Sequence, residues 1–587
     1  MKYGPNLTFI PAWIRQRPIH AATDDIVALI AGLLMPFSFA PFGFYGLTVV
    51  ALAFLFQVIT KATPMRALWR GWIFGLAMFG VGVFWVHESF KFAAVPLPLA
   101  LLLTGGLVAM LAVYPALFGF LVAFLSGRFP VTRKSPLSIF SLKYRKNKNP
   151  EKIGARLKPP PLSALAPNAN MPSTPTSSST SPSVWRFLLV LPAGWILQEW
   201  VRGWFLSGFP WLQVGYAHID SPLAGLAPLL GVYGVGWAAA ISAGLLLLGF
   251  HLIKSEKSAI GKRVVGLSIL LAFGGGIWVG SAWLAQKTWT TPVGTPIRIA
   301  LIQGNVPQDK KWLAAQRQPT LDRYFSLTRQ QMEPDLVVWP ETALPGFYHH
   351  FPDFIAGLRQ LAHTHPMNIL LGVATRGSEP KQYFNSVVAI TDAGEAFYHK
   401  RHLVPFGEYL PMADILQKVL DFLMIPMSDF STGPATQAPL RIAEQLIGVS
   451  VCYEASFGRD IIGALPQATL LVNVSNDAWF GDSLGPHQNL QMARMRARES
   501  GRYLLRATNT GISALMDPRG RIMERAPQFR TSVLTGTVTG MDGATFYVRY
   551  GNQVVVSVIL VILIIGVFLT RHNRNRANEA TARTFDA

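Results

Sequence analysis

Cys452 is the only cysteine in 587 residues, and it lies near the end of an apolar run, Leu446-Ile-Gly-Val-Ser-Val-Cys-Tyr-Glu454, of the kind that forms a buried strand. A lone thiol excludes an intramolecular disulfide and a cysteine-based metal cluster. Two readings remain, a small inert core residue or a nucleophile. Two charged side chains stand at equivalent places: Glu341 follows Asp335-Leu-Val-Val-Trp-Pro340, and Lys400 follows Glu395-Ala-Phe-Tyr-His399. In open α/β sheets, sites assemble at the C-terminal ends of strands. A carboxylate takes the thiol proton, a cation stabilises an oxyanion, and the sulfur attacks a carbonyl carbon. Plainer readings stand beside this one: Glu341 as a turn acid, Lys400 as one more surface cation. The three residues are far apart in sequence, so only the fold decides whether they meet.

The elements that must position them lie between about 296 and 545, where strand-length apolar runs alternate with helical patterns. Strands are expected at Ile297–Gln303, Leu336–Trp339, Ile369–Thr375, Phe384–Thr391, Glu395–His399, Leu446–Val451, Leu470–Val474, Gly511–Met516 and Ser532–Val538. Helices are expected around 319–333, 352–364, 413–424, 457–464 and 486–507. Arg494, Arg496 and Arg498 read as a solvated face of the last helix rather than a phosphate clamp, and His487 as a cap or core histidine with no second ligand at metal spacing. Trp479-Phe480 fits equally well in lipid or in a core.

The rest of the chain is apolar. Half of all residues are hydrophobic and only 14% are charged, which points to a membrane protein rather than a chain of soluble domains. Stretches of spanning or near-spanning length occur around 26–41, 44–60, 72–87, 94–126, 186–204, 235–252, 264–285 and 553–570. The first is followed almost at once by a second and has no small-residue cleavage site, so a span is expected there rather than a leader. If 94–126 crosses once, Lys61, Arg66, Arg70, the basic segment 127–184, Lys254, Lys262 and the tail from Arg571 all share one side, while 205–234 has no Lys or Arg. The positive-inside rule makes that side cytoplasmic and puts 296–545 on the other. The expected organisation is a transmembrane domain over 1–290 (seven spans), an α/β domain over 296–545, a last span at 553–570 and a basic tail over 571–587. The formal charge of +21 forms no aromatic-interleaved stripe, which argues against nucleic acid and for anionic lipid. Segment 127–184, with ten Lys or Arg before a Ser/Thr/Pro run, reads as a disordered insertion.

Three segments together resemble the nitrilase superfamily: Trp339-Pro-Glu-Thr342, His399-Lys-Arg-His-Leu-Val-Pro-Phe-Gly-Glu-Tyr409 and Val451-Cys-Tyr-Glu454. With spans on both sides, the chain is similar to its apolipoprotein N-acyltransferase family. Gln303-Gly-Asn-Val-Pro-Gln308 with Trp312, Asn473-Val-Ser-Asn-Asp-Ala-Trp-Phe480 and Arg506-Ala-Thr-Asn-Thr-Gly511 agree. The resemblance covers nearly everything except 127–184. It implies an αββα sandwich with Cys452 as nucleophile, Glu341 as general base and Lys400 as oxyanion holder. It further implies a supporting carboxylate at Glu408 and pocket-shaping or supporting roles for Trp312, Tyr453 and Glu454. The implied reaction is ping-pong acyl transfer without metal or cofactor. A phospholipid, phosphatidylethanolamine at its sn-1 ester, is the implied donor, and the amino group of a diacylglyceryl-cysteine on an apolipoprotein is the acceptor. The implied location is the bacterial inner membrane with the α/β domain periplasmic, and a monomer is expected. Two rivals are a membrane-tethered amidase and a transporter with an α/β sensor, for which Glu199 is the main charge inside a span.

Overall fold

The computed structural model describes residues 19–93, 95–125, 184–255, 259–331, 334–409 and 429–585. The 127–183 part of the expected insertion and the helix expected at 413–424 lie outside them.

The N-terminal half is a helical bundle. Leu97–Leu125 is apolar on every face and runs as one helix, so the segment does not fold back as a hairpin. It packs on Pro64–Gly82, where Gly71 and Gly75 allow close approach: a Cβ at either would overlap the backbone of Pro115 or Ala112. Among the described residues, Leu97–Leu125, Pro222–Lys254 and Ile260–Gln286 are each long and apolar enough to cross a membrane. A fourth span exists if Pro64–Gly82 and Val86–Ala93, bent by 50°, count as one; Gly46–Thr60 and Gln553–Leu569 are apolar but shorter. The bend is capped from outside, because the Gly82 carbonyl accepts from Trp85 Nε1 (3.2 Å) and Gln488 Nε2 (3.0 Å). At the far end of Pro64–Gly82, Arg70 pairs with Asp24 (2.9 Å) and Asp25 (3.1 Å). Glu199 is fully buried within the bundle. It accepts from Trp195 Nε1 (2.9 Å) and the Val214 N–H (3.0 Å), pinning the 205–214 loop.

Among the described residues the α/β domain has twelve strands: β1 Thr291–Gln303, β2 Leu336–Val338, β3 Asn368–Arg376, β4 Tyr383–Thr391, β5 Gly394–His399, β6 Leu440–Ile442, β7 Gln445–Val451, β8 Leu470–Ser475, β9 Leu504–Thr508, β10 Ala514–Met516, β11 Ile522–Arg525 and β12 Ser532–Asp542. They form two six-stranded sheets, β12-β1-β2-β3-β4-β5 and β11-β10-β9-β8-β7-β6. In each, three central strands (β1–β3 and β7–β9) run parallel and the remaining pairings are antiparallel. Leu301, Val338, Leu370 and Val387 of one sheet meet Ile447, Val449, Val472 and Leu505 of the other, as two apolar inner faces must. Helices Ala314–Arg329 and Pro352–Thr364 cover the first sheet, and Gly458–Ile462 and Leu484–Ser500 the second. The result is the expected αββα sandwich.

Three expectations need correction. The helix expected over 486–507 ends at Ser500, because Gly501 takes a left-handed φ of 65°, and residues 504–508 then form β9. The short strands β6 and β11 were not expected. Arg494, Arg496 and Arg498 are not a solvated face: Arg496 and Arg498 are buried, and Arg494 pairs with Asp220. They dock the sandwich on the bundle. The final helix, Gln553–Phe585, continues past the apolar stretch.

Candidate functional site

Strand ends deliver the three reactive side chains to one place. β2 leads through Trp339-Pro340 to Glu341, β5 ends one residue before Lys400, and β7 ends one residue before Cys452. All three are buried. Lys400 Nζ lies 3.6 Å from Glu341 Oε1 and 2.8 Å from Glu408 Oε2. Cys452 sits at φ 49° and Thr342 at φ 46°, left-handed conformations that non-glycine residues adopt at a cost and that cluster at functional turns.

Glu454 explains how the Cys452 turn is held. Its carboxylate accepts from the backbone N–H of Val451 (2.6 Å), Arg401 (2.7 Å) and His402 (3.2 Å), and from the Tyr398 hydroxyl. It thereby ties the end of β7 in one sheet to the segment after β5 in the other. Burial raises its pKa, opposed by those N–H groups.

Three residues hold the carboxylates of Glu341 and Glu408. Asn385 Nδ2 donates to Glu341 Oε1 (2.7 Å) and to Glu408 Oε1 (2.8 Å). The Asn476 N–H donates to Glu341 Oε2 (2.9 Å), and the Val404 N–H to Glu408 Oε2 (2.8 Å). The Asn476 turn rests on a fully buried Arg506–Asp477 pair at 3.0 Å, with Ser475 Oγ donating to the same carboxylate. Behind Glu341, Lys311 Nζ donates to Thr342 Oγ1 (2.6 Å), and burial lowers its pKa to about 8 against the pull of Glu341.

Electrostatics set the resting state. Burial and then the Glu341 charge push the Cys452 thiol up to about 12, with Lys400 acting in the other direction. Near neutral pH this favours the protonated thiol, and only a base beside it would make the sulfur nucleophilic. Burial alone would lower the pKa of Lys400, but Glu408, then Glu341 and Cys452, outweigh it and keep the ammonium charged.

The structure thus brings Glu341, Lys400, Cys452 and Glu408 together, with Glu454 beneath them. Tyr453 points toward the bundle instead: its hydroxyl donates to the Gly208 carbonyl (2.5 Å) and its ring stacks on Trp211 at 5.6 Å. Trp312 is 39% exposed and reaches the cluster only through Lys311, whose ammonium lies 5.8 Å from its ring. Trp479 and Phe480 pack on Phe92 and Trp85 of the bundle. His487 is partly buried, and no group of three metal-ligating side chains occurs among the described residues. Asn385 and Lys311 escaped sequence reasoning. The signal for Asn385 was a polar Asn-Ser pair inside an otherwise apolar strand, and for Lys311 only its place beside Trp312.

A model described as carbon-nitrogen hydrolase matches residues 298–544. One described as apolipoprotein N-acyltransferase N-terminal domain matches 31–142 and 168–245, passing over part of the basic insertion. Proteins named apolipoprotein N-acyltransferase are similar over nearly the whole chain. That of Methylococcus capsulatus is 39% identical, covering 94% of this chain and 97% of its own. Those of Azotobacter vinelandii (39%; 95% and 97%) and Nitrosomonas europaea (38%; 92% and 96%) are alike in extent. A helical bundle joined to a hydrolase-type sandwich, matched end to end in this way, identifies the chain as a member of the apolipoprotein N-acyltransferase family.

Proposed function

We propose that the protein transfers an acyl chain from a phospholipid, through a thioester on Cys452, to the α-amino group of a diacylglyceryl-cysteine at the N-terminus of an apolipoprotein. The observation that carries this reading is the buried cluster itself: Cys452 on a left-handed turn at the end of β7, with a hydrogen-bonded Glu341 whose Oε1 lies 3.6 Å from the Lys400 ammonium.

The chemistry follows from the geometry. Glu341, its two oxygens fixed by Asn385 and Asn476, takes the thiol proton as the sulfur attacks the ester carbonyl carbon. Lys400, held by Glu408, stabilises the tetrahedral oxyanion together with the Tyr453 N–H. Collapse breaks the C–O bond, and Glu341 returns the proton to the departing glyceryl oxygen. In the second half, the amine attacks the thioester, Glu341 takes its proton, and the C–S bond breaks as the proton returns to sulfur. Burial keeps water from the waiting thioester. The amine has an ordinary pKa of about 8, so a useful fraction is neutral near neutral pH.

The membrane arrangement belongs to the same proposal: eight spans, seven before residue 290 and one at 553–570, in a bacterial inner membrane, with 296–545 periplasmic, 571–587 cytoplasmic, and a monomer as the working unit. It is supported by the Asp24–Asp25–Arg66–Arg70 cluster at the end of the bundle remote from the sandwich, on the side assigned the cytoplasmic charges. Both substrates are then confined to one leaflet beside the thiol, raising their effective concentration.

The test is incubation of purified protein with acyl-labelled phosphatidylethanolamine. A hydroxylamine-sensitive label on Cys452, discharged by a diacylglyceryl peptide, is expected. A label that persists in Cys452→Ala and resists hydroxylamine refutes the mechanism.

A further inference from the structure

A cavity of about 330 Å³ lies where the bundle meets the sandwich, and neither Glu341, Lys400, Glu408 nor Cys452 lines it. Trp200, Trp204 and Tyr233 wall it from the bundle, Ser456 and Arg496 from the sandwich, and Asn552 from just before the final helix. Three of these carry buried polar atoms with no hydrogen-bond partner among the described residues: Arg496 Nε, Ser456 Oγ and Asn552 Oδ1. Arg496 and Ser456 are each only 1% exposed. Folded chains rarely leave buried polar groups unmatched, so two orphaned donors and an acceptor around one cavity call for a ligand that accepts on one side and donates on the other. A second cation, Arg459, lines the same cavity with its side chain 61% exposed, its Nε 3.6 Å from Asp460 Oδ1. Beside it, Trp204, Phe205 and Leu206 expose large apolar side chains, the composition of a membrane-interface belt.

We infer that this cavity binds the headgroup of one zwitterionic aminophospholipid, held as a resident lipid distinct from the acyl donor. Its phosphodiester accepts from Arg496 Nε–H, the Ser456 hydroxyl and Arg459, and its ammonium donates to Asn552 Oδ1 against the surrounding aromatic faces. The volume is at the small end for ligand pockets and suits a headgroup alone, so the acyl chains run out over Trp204–Leu206. Ser456 ends the turn that Cys452 begins, and the Tyr216 hydroxyl holds the Ser456 carbonyl at 2.9 Å. An occupied cavity therefore braces the nucleophile's turn from the bundle side. The inference rests on the proposed membrane placement and not on the acyl-transfer chemistry.

Native mass spectrometry of the full chain, purified in detergent with Cys452 alkylated so that no thioester forms, tests it. Phosphatidylethanolamine and phosphatidylglycerol are supplied separately, and inorganic phosphate as competitor. One retained phosphatidylethanolamine is expected, with occupancy falling about tenfold in Ser456→Ala and in Asn552→Leu, as loss of a hydrogen bond to a charged group predicts. Ser456→Ala removes a hydroxyl with no protein partner among the described residues, so the variant should remain monodisperse, and its melting temperature checks this. Equal retention by both variants, no retained lipid, or displacement by inorganic phosphate overturns the inference. Equal retention of phosphatidylglycerol overturns the zwitterionic assignment. Extraction of the chain without detergent would instead defeat the membrane placement.

Discussion

Helices Ala314–Arg329 and Leu484–Ser500 occupy the same layer on opposite sides of the sandwich, in opposite surroundings. The first buries Thr320, Leu321, Tyr324 and Thr328 against its sheet and turns its charges to water. The second buries Gln488, Gln491, Arg496, Arg498 and Glu499 as well, because the bundle covers its outer face. Glu499 accepts from the Val232 N–H at 2.7 Å, and Arg498 Nε donates to the Ala224 carbonyl at 2.7 Å. The sheet that carries Cys452 is thus fixed to the membrane half through polar contacts. The sheet that supplies Glu341 and Lys400 joins that sheet across the apolar inner core and through polar bridges such as Glu454, the Asn476 N–H on Glu341 and Ser513 on Gln303, and it reaches the bundle through His402, which bonds the Ser207 carbonyl at 2.9 Å. One half of the site is anchored on the bundle; the other is brought to it.

The largest effect should come from the anchored sheet. Cys452→Ala should lower transfer by about 10⁴-fold or more, as removal of a catalytic nucleophile does. Single-turnover transfer from labelled phospholipid measures it, and substantial residual transfer would place the nucleophile elsewhere. Next in size, Glu499→Ala leaves Arg496 buried without its 2.9 Å partner and should cost about 3–5 kcal/mol of stability. Denaturant unfolding in micelles reads this, and a loss under 1 kcal/mol would mean that the docking face is wetter than the structure shows.

These two residues also mark what the sequence could and could not reveal. Cys452, Glu341 and Lys400 were legible because each closes a strand-like apolar run, and strand ends in parallel sheets converge. Glu499 and Arg496 were not. Their alternation with polar neighbours is the pattern of a solvent-facing helix, and only the bundle's N–H groups and carbonyls make it a buried face. β9 was lost for a related reason: the helical pattern before it runs without a break into Leu504, and the single stop signal is Gly501. The break after Gly82 was hidden because its cap, Gln488, comes from 406 residues away.

Intermediate effects probe how the two sheets cooperate. Asn385→Ala removes the amide shared by Glu341 and Glu408 and should lower the rate of thioester formation about 100-fold, with donor binding little changed, as misplacement of a base does. A change in KM alone would show that Asn385 only shapes the pocket. The thiol also reports the contact directly. Its pKa is raised to about 12, so iodoacetamide labelling should climb about tenfold per pH unit from neutrality to pH 10 without levelling. Glu341→Gln removes a charge that raises this pKa, so labelling at pH 8 should become about tenfold faster in that variant. A plateau near pH 9 in the unsubstituted chain would mean that neither burial nor Glu341 acts on the sulfur.

The smallest effect belongs to the water-facing side and completes the comparison. Arg359 on helix Pro352–Thr364 pairs with Glu395 of β5, as Arg496 pairs with Glu499, but its side chain is 56% exposed. Water and salt screen such a pair from the Arg359 side, and Glu395, with its side chain 19% exposed, still reaches water when left alone. Arg359→Ala should therefore shift stability by no more than about 1 kcal/mol and leave transfer unchanged, although Glu395 lies only five residues before Lys400. If this variant were as damaging as Glu499→Ala, the outward face of the first sheet would also have to be a docking surface. The asymmetry between the two helices would then reflect a missing neighbour rather than a difference in how the sheets are held.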